Sequence, residues 1–321
     1  MPISRKVFLA ALVGTLGAGC GARVGGSDAG PAASAHRWTP QEISTTAYES
    51  SAVFDASGQL MLFMRADRGF DNYRILQSIC TDGRWSTPVE PSFSAAPGIY
   101  DADPVLSPDG SKVFFVSTRH RFAEVGNDDF DIFFSEQQPD GAWGPATRLP
   151  EPVNSGASEL LPRLDGAGRL YFGSSRPGGR GGSDIYVATR SVGGTWAVSN
   201  VAAVNTPAAE YEADVSWDGR QIAVVSDREG KSRIHLYTRD GTDWRPIGRV
   251  HAREEAFQVG PLWSPDGRRL MFSQDAGEDS GEIYVVDTAE NPDERWPPGC
   301  ATDDTSQPPS ISKENTPWPN T

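Results

Sequence analysis

The chain has 321 residues, with 43 acidic and 29 basic side chains and a net charge of −14 at neutral pH. That balance argues against sequence-independent binding of nucleic acid, which depends on neutralising phosphates. Hydrophobic residues make up 37%, enough for a soluble core, and 34 Gly with 25 Pro exceed ordinary usage. Such punctuation favours many short elements joined by turns over long helices or coiled coils.

Residues 1–19 carry Arg5 and Lys6, then an apolar run from Val7 to Leu16, then small residues leading to Cys20. This is the pattern of a secretory signal, too short for a spanning helix. No later stretch reaches 18 consecutive apolar residues. The Cys after small residues resembles a bacterial lipobox, with Gly17 where that pattern has Leu and Leu16 one place earlier. The resemblance implies a lipid anchor on Cys20; ordinary signal cleavage is the alternative. Gly21, a non-Asp residue after the Cys, implies the outer membrane within the same pattern, so a periplasmic or outer-membrane location is expected. Residues 20–37 read as a flexible tether. Removing the leader takes the net charge from −14 to −16. An exported chain meets an oxidising compartment, where Cys80 and Cys300 either form one disulfide or stay separate.

From Trp38 onward the chain repeats. Trp38, Trp85, Trp143, Trp196, Trp244 and Trp296 are 47, 58, 53, 48 and 52 residues apart. The turn glycines Gly58, Gly110, Gly168, Gly219 and Gly267 follow the same beat, at 52, 58, 51 and 48. A period near 50 residues signals a repeat architecture. In the second unit, ADPVLS (102–107), SKVFFVS (111–117), DIFFSE (131–136) and GPATRLP (144–150) read as four strands bracketed by turn residues. RLYFGS, DIYVATR and TWAVSNVA repeat the scheme in the third unit, and RRLMFS and EIYVVD in the fifth. Four strands per unit is a propeller blade. The expected fold is therefore all-β: a five-bladed propeller of four-stranded antiparallel blades over 38–295. Its fifth blade lacks strand material after EIYVVD, so residues 38–44 are expected to supply that blade's fourth strand and close the ring. Closure would bring Cys300 near Cys80. Residues 296–321 read as a disordered tail.

SPDG turns, the block SSRPGGRGGSDIYVATR (174–190) and the W-x-P segments resemble the WD-like propeller repeats of the TolB type, over about residues 38–290. That resemblance implies a periplasmic or outer-membrane propeller acting through protein contacts. TolB itself has six blades and a further N-terminal domain, for which this chain has no room, so membership of the Tol assembly is not implied.

Nine residues before the turn glycines stand Glu49, Asp101, Glu159, Glu210 and Gln258. The second strands end in Arg65, Arg119, Arg176 and Arg228, whereas the fifth has Gln274 and Asp275. Acid and Arg are lost together, as expected of paired residues, so a bidentate latch is the favoured reading. A carboxylate ring facing a ligand at the channel mouth is the other. Asp131, Asp184 and Glu282 open the third strands and are expected to cap loops. The cluster Asn127–Asp131 lacks the Gly and Glu of a calcium loop, and Gly178–Gly182 lacks the helix that a phosphate loop needs. No metal or cofactor site is expected: the four His are scattered and two Cys do not make a zinc site.

The leading expectation is a non-catalytic, monomeric, lipid-anchored module that binds a protein or cell-envelope component. Its binding face would carry the polar loops 66–71, 118–130, 176–183 and 227–232. Two alternatives remain: a carbohydrate-active hydrolase using Asp101, Glu159 and Glu210, and a purely structural envelope protein.

Overall fold

The computed structural model describes residues 35–119, 129–275 and 281–300. Cys20, the leader, most of the tether, Asn127, Asp128 and residues 301–321 lie outside the described residues.

The chain forms five four-stranded antiparallel sheets. Blade one is β2 (Tyr48–Phe54), β3 (Leu60–Ala66), β4 (Arg74–Thr81) and β5 (Arg84–Trp85). Blade two is β6 (Asp101–Leu106), β7 (Lys112–Ser117), β8 (Asp131–Glu136) and β9 (Thr147–Arg148). Blade three is β10 (Glu159–Leu164), β11 (Leu170–Ser174), β12 (Asp184–Arg190) and β13 (Trp196–Asn200). Blade four is β14 (Glu210–Val215), β15 (Gln221–Ser226), β16 (Arg233–Asp240) and β17 (Asp243–Arg249). Blade five is β18 (Gln258–Trp263), β19 (Arg269–Asp275), β20 (Gly281–Asp287) and, on its outer side, β1 (His36–Arg37). The first strands β2, β6, β10, β14 and β18 each touch the next, and β18 returns to β2, which makes the innermost ring of a propeller.

The strand expected over residues 38–44 is not where the sequence placed it. Pairing with β20 falls on His36 and Arg37, opposite Val285 and Tyr284, inside the stretch read as tether. Trp38 and Thr39 still donate backbone N–H groups to Ile283 O, but Pro40 has no N–H to give, and residues 41–43 turn. The segment beyond Thr39 instead carries Ile43 into the core and leads to Glu49. At the other end, the stretch read as tail begins as structure: Trp296 and Cys300 are buried with Ile43, Trp85 and Met271. Cys300 is bonded to Cys80 across a Cα–Cα distance of 5.4 Å.

Two outer strands are short where Pro breaks them, whereas β17 runs from Asp243 to Arg249 through Pro246 with a register shift beside it. GPATRLP contributes only Thr147–Arg148, and RWSTPVE only Arg84–Trp85 and a single bridge from Val89 to Gln77. The repeated Trp85, Trp143, Trp196 and Trp244 are buried, each beside its outer strand. The hairpin between first and second strands places its turn glycine alike in every blade, although the blade-three loop is one residue shorter. Gly58, Gly110, Gly168, Gly219 and Gly267 have φ of 69°, 71°, 72°, 70° and 67°, a conformation that other side chains resist.

Candidate functional site

The four predicted pairs form, each through one guanidinium nitrogen rather than the bidentate fork expected. Arg65 Nε lies 2.7 Å from Glu49 Oε1, and Arg119 Nη2 lies 2.7 Å from both oxygens of Asp101. Arg176 Nη2 and Arg228 Nη2 each lie 3.1 Å from Oε1 of Glu159 and Glu210. Each Arg also donates to a main-chain carbonyl of the preceding inter-blade segment: Ile43, Phe93, Val153 and Val204. The guanidinium groups of Arg65, Arg119 and Arg176 cover the rings of Phe63, Phe115 and Phe172.

Each carboxylate is further occupied by the chain that leads into its strand. Thr45, Ser155 and Thr206, four residues earlier, give a hydroxyl bond of 2.6, 2.6 and 2.7 Å to Glu49, Glu159 and Glu210, and each adds its backbone N–H. In blade two, Asp101 takes Ala95 N instead. Next to these hydroxyls, Asn154 and Asn205 hold the third strand of the previous blade. Asn154 Oδ1 accepts Ile132 N and its Nδ2 donates to Ile132 O; Asn205 does the same with Ile185. Thr39 takes the same place on Ile283. Sequence reasoning found the acids and arginines but not these partners. The signal was present as Val-Asn-Ser-x-x-x-Glu (153–159) and Val-Asn-Thr-x-x-x-Glu (204–210).

Blade five differs as its sequence suggested. Gln258 Oε1 accepts Ile234 N, and its Nε2 donates to Val250 O, so one amide stands in for both Asn and acid. A latch of this kind makes Glu210 structural. Glu210→Gln is expected to cost about 1–3 kcal/mol, because an amide N–H would face the Thr206 and Arg228 donors. Urea denaturation of the variant measures it.

Of the third-strand acids, Asp184 caps the glycine-rich loop through Arg180 N and Gly181 N, as expected. Asp131 instead pairs with Arg148 at 2.7 Å, and Glu282 with Arg37 at 2.7 Å.

The centre of the ring holds groups that the sequence reading did not single out. Two residues beyond each latch position lie Ser51, Asp103, Leu161, Glu212 and Gly260, and four beyond lie Arg163 and Asp214. Each first strand breaks register here, and Ser51, Asp103, Leu161 and Gly260 have φ of 52°, 54°, 39° and 62°. These are bulges that re-aim side chains at the tightest part of the fold. Arg163 is 1% exposed. Its Nη1 donates to Pro104 O at 3.2 Å and Pro162 O at 3.0 Å, its Nε to Pro261 O at 3.5 Å, and Asp214 lies 3.9 Å away. One side chain of blade three therefore reaches blades two, four and five. Asp103 Oδ1 accepts Ser51 Oγ at 2.9 Å; Glu212 Oε2 accepts Gly260 N and Asp214 Oδ2 accepts Trp263 N, both at 2.6 Å.

Burial dominates the electrostatics of this cluster. Burial and the Asp103 charge push the Glu212 carboxyl up to about 8. Burial raises Asp214 to about 6 against the pull of Arg163, and raises Asp103 as well. At the rim, burial also raises Glu159 despite its Arg176 partner. Among the described residues no group of three or more His, Cys, Asp or Glu is arranged to hold a metal ion. A hollow between blades one and two is lined by Tyr73, Arg74, Glu90 and Asp101, but its Asp101 is committed to Arg119.

These features define a class: a five-bladed β-propeller whose axis is closed by a buried ion cluster and four of whose blades carry an Arg–carboxylate latch between first and second strands. No family model and no curated protein matches the chain. Solved structures that resemble it include propellers of the TolB type. A protein assigned as TolB from Agrobacterium tumefaciens aligns at 17% identity and a TM-score of 0.48, over 75% of this chain and 77% of that one. TolB from Acinetobacter baumannii aligns at 14% identity and a TM-score of 0.40, over 75% and 63%. A periplasmic gluconolactonase of Pseudomonas aeruginosa aligns at 14% identity and a TM-score of 0.44, over 73% and 70%.

Proposed function

We propose that the protein is an exported, lipid-anchored binding module that engages a protein or cell-envelope component on the face carrying loops 66–71, 176–183 and 227–232; residues 120–128 of the fourth expected loop, 118–130, lie outside the described residues. The observation that carries this reading is the commitment of the acids on that face: Glu49, Asp101, Glu159 and Glu210 are each spent on an Arg of their own blade. Recognition then falls to the loops. Pro177, Arg180, Glu229 and Lys231 are exposed there. The hydrolase reading through Asp101, Glu159 and Glu210 has little support, since a glycosidase needs two unlike carboxyls facing one substrate. Lipid attachment rests on Cys20 alone, and globomycin-sensitive incorporation of a fatty-acid analogue tests it.

Photo-crosslinking residues placed at Pro177 and Lys231, with Arg220 on the opposite face as comparison, test the binding face in intact envelopes. Discrete adducts from the first two positions and not from Arg220 are expected. Adducts from Arg220 alone would move the binding surface, and none anywhere would favour the structural reading.

A further inference from the structure

The axial cluster is unbalanced in charge, and its geometry leaves it so. Asp103, Glu212 and Asp214 share one guanidinium, and all four side chains are sealed from solvent. Arg163 is in no position to serve every carboxylate, because its Nη1 is spent on Pro104 O and Pro162 O. Its Nη2 and the Oδ2 of Asp103 have no hydrogen-bond partner among the described residues. Glu212 receives the backbone N–H of Gly260 and stands within the fields of Asp103 from β6, Arg163 from β10 and the phenols of Tyr48, Tyr73 and Tyr211. With every carboxyl ionised the cluster would carry two uncompensated negative charges in a dry site, an arrangement that proteins avoid by binding a proton.

We propose that Glu212 holds a proton at neutral pH and that its loss to solvent loosens the β14–β18 contact, so that the closed ring is an alkaline-sensitive fastener. Ionisation strengthens the acceptor that Gly260 N meets at Glu212 Oε2, so the loosening comes from an unpaired charge set against Asp103 in a dry site, beside the companion bond from Trp263 N to Asp214 Oδ2. Both join blades four and five, on either side of the point where Arg163 crosses.

The sign follows from linkage. A carboxyl raised in the folded state binds a proton that the unfolded chain has released, so stability falls as pH rises towards the folded value and is flat above it. His235 works in the opposite sense at lower pH: burial and neighbouring arginines push it down to about 4, so its contribution grows with pH only up to the ordinary imidazole range. Asp214, raised to about 6, has also finished titrating by neutrality. Burial raises Asp103 as well, so the interval from about pH 7 to 9 reports Glu212 together with Asp103; there the unfolding constant should rise up to about tenfold per pH unit before levelling, and Glu212→Gln separates the share of Glu212.

The experiment is urea denaturation of the wild-type chain and of Glu212→Gln at pH values across that interval. The wild-type midpoint should fall to about pH 8 and then level, and the variant, which keeps an oxygen for Gly260 N but has no proton to lose there, should lack the Glu212 share of that fall. A flat wild-type profile, or the same fall in the variant, overturns the proposal. Should the variant fail to fold, amide exchange at Gly260 in the wild type decides. A rate rising more than the tenfold per pH unit of base catalysis supports loosening, and tenfold alone overturns it.

Discussion

Replacing Arg163 with methionine is expected to lower stability by about 3–5 kcal/mol at neutral pH, a fall in Tm on the order of 10 °C. The loss has two sources. Methionine matches much of the arginine volume, so packing at the 1%-exposed site changes little. The charge does not survive, however: Asp103, Glu212 and Asp214 keep their burial and lose the one cation whose field lowers them. Removing one member of a buried ion cluster leaves the remaining charges uncompensated, which is where the large cost arises. The carbonyls of Pro104, Pro162 and Pro261 lose their donor as well. Because the variant raises its carboxyls further, its deficit should be greater at pH 8 than at pH 5, where more of the cluster is protonated. Adding Glu212→Gln to Arg163→Met should recover part of the loss, since one unpaired charge is then gone. Urea denaturation of the single and double variants at both pH values measures all three terms. A single-variant loss below about 1 kcal/mol would mean that the guanidinium contributes little beyond filling space.

The blade count, the strand order within a blade and the latch pairs were legible because each rests on a local feature copied five times. A turn glycine with positive φ, a buried apolar second strand and a Trp recur at a near-constant beat. Glu49, Asp101, Glu159 and Glu210 could be aligned by counting back from those glycines, and the joint absence of acid and Arg in blade five revealed the pairing. The axial cluster was not legible by the same method, because it is not repeated. Ser51, Asp103, Leu161, Glu212 and Gly260 occupy one structural position with five different residues, so no periodic signal marks it. Only their neighbours in space give Asp103 and Glu212 meaning, and those come from β2, β10 and β18. A local hint existed in the charges inside ELLPRL and EYEADV, strands otherwise buried throughout. The closing segment was misplaced for a different reason. Trp38 was aligned with the outer-strand tryptophans, but the ladder pairing falls on the two residues before it, Trp38 and Thr39 add only N–H bonds to Ile283 O, and Pro40 ends the run.

Cys300→Ser is expected to cost about 2–5 kcal/mol under oxidising conditions, through the chain rather than through the local contact. The bond to Cys80 spans 220 residues, so it closes nearly the whole propeller into one covalent loop. It joins the segment that follows blade five to the third strand of blade one. Without it, residues 288–300 depend on Trp296 in its apolar cluster, on Arg269 Nη1 bonding to Trp296 O at 2.7 Å, and on short-range turns. Those contacts hold the segment locally but do little to limit the unfolded chain, whose larger freedom is what the cross-link removes. The expected readout is a lower denaturant midpoint for Cys300→Ser and for the reduced wild-type chain, with the Cys80→Ser, Cys300→Ser double variant no worse than either. Trp296→Ala separates the two contributions: it leaves the loop closed and should cost about 3–5 kcal/mol through the cavity alone, with or without reductant. If reduction leaves the wild-type midpoint unchanged, the bond adds nothing to the closed ring, and the packing of Trp296 and Ile43 joins the last blade to the first by itself.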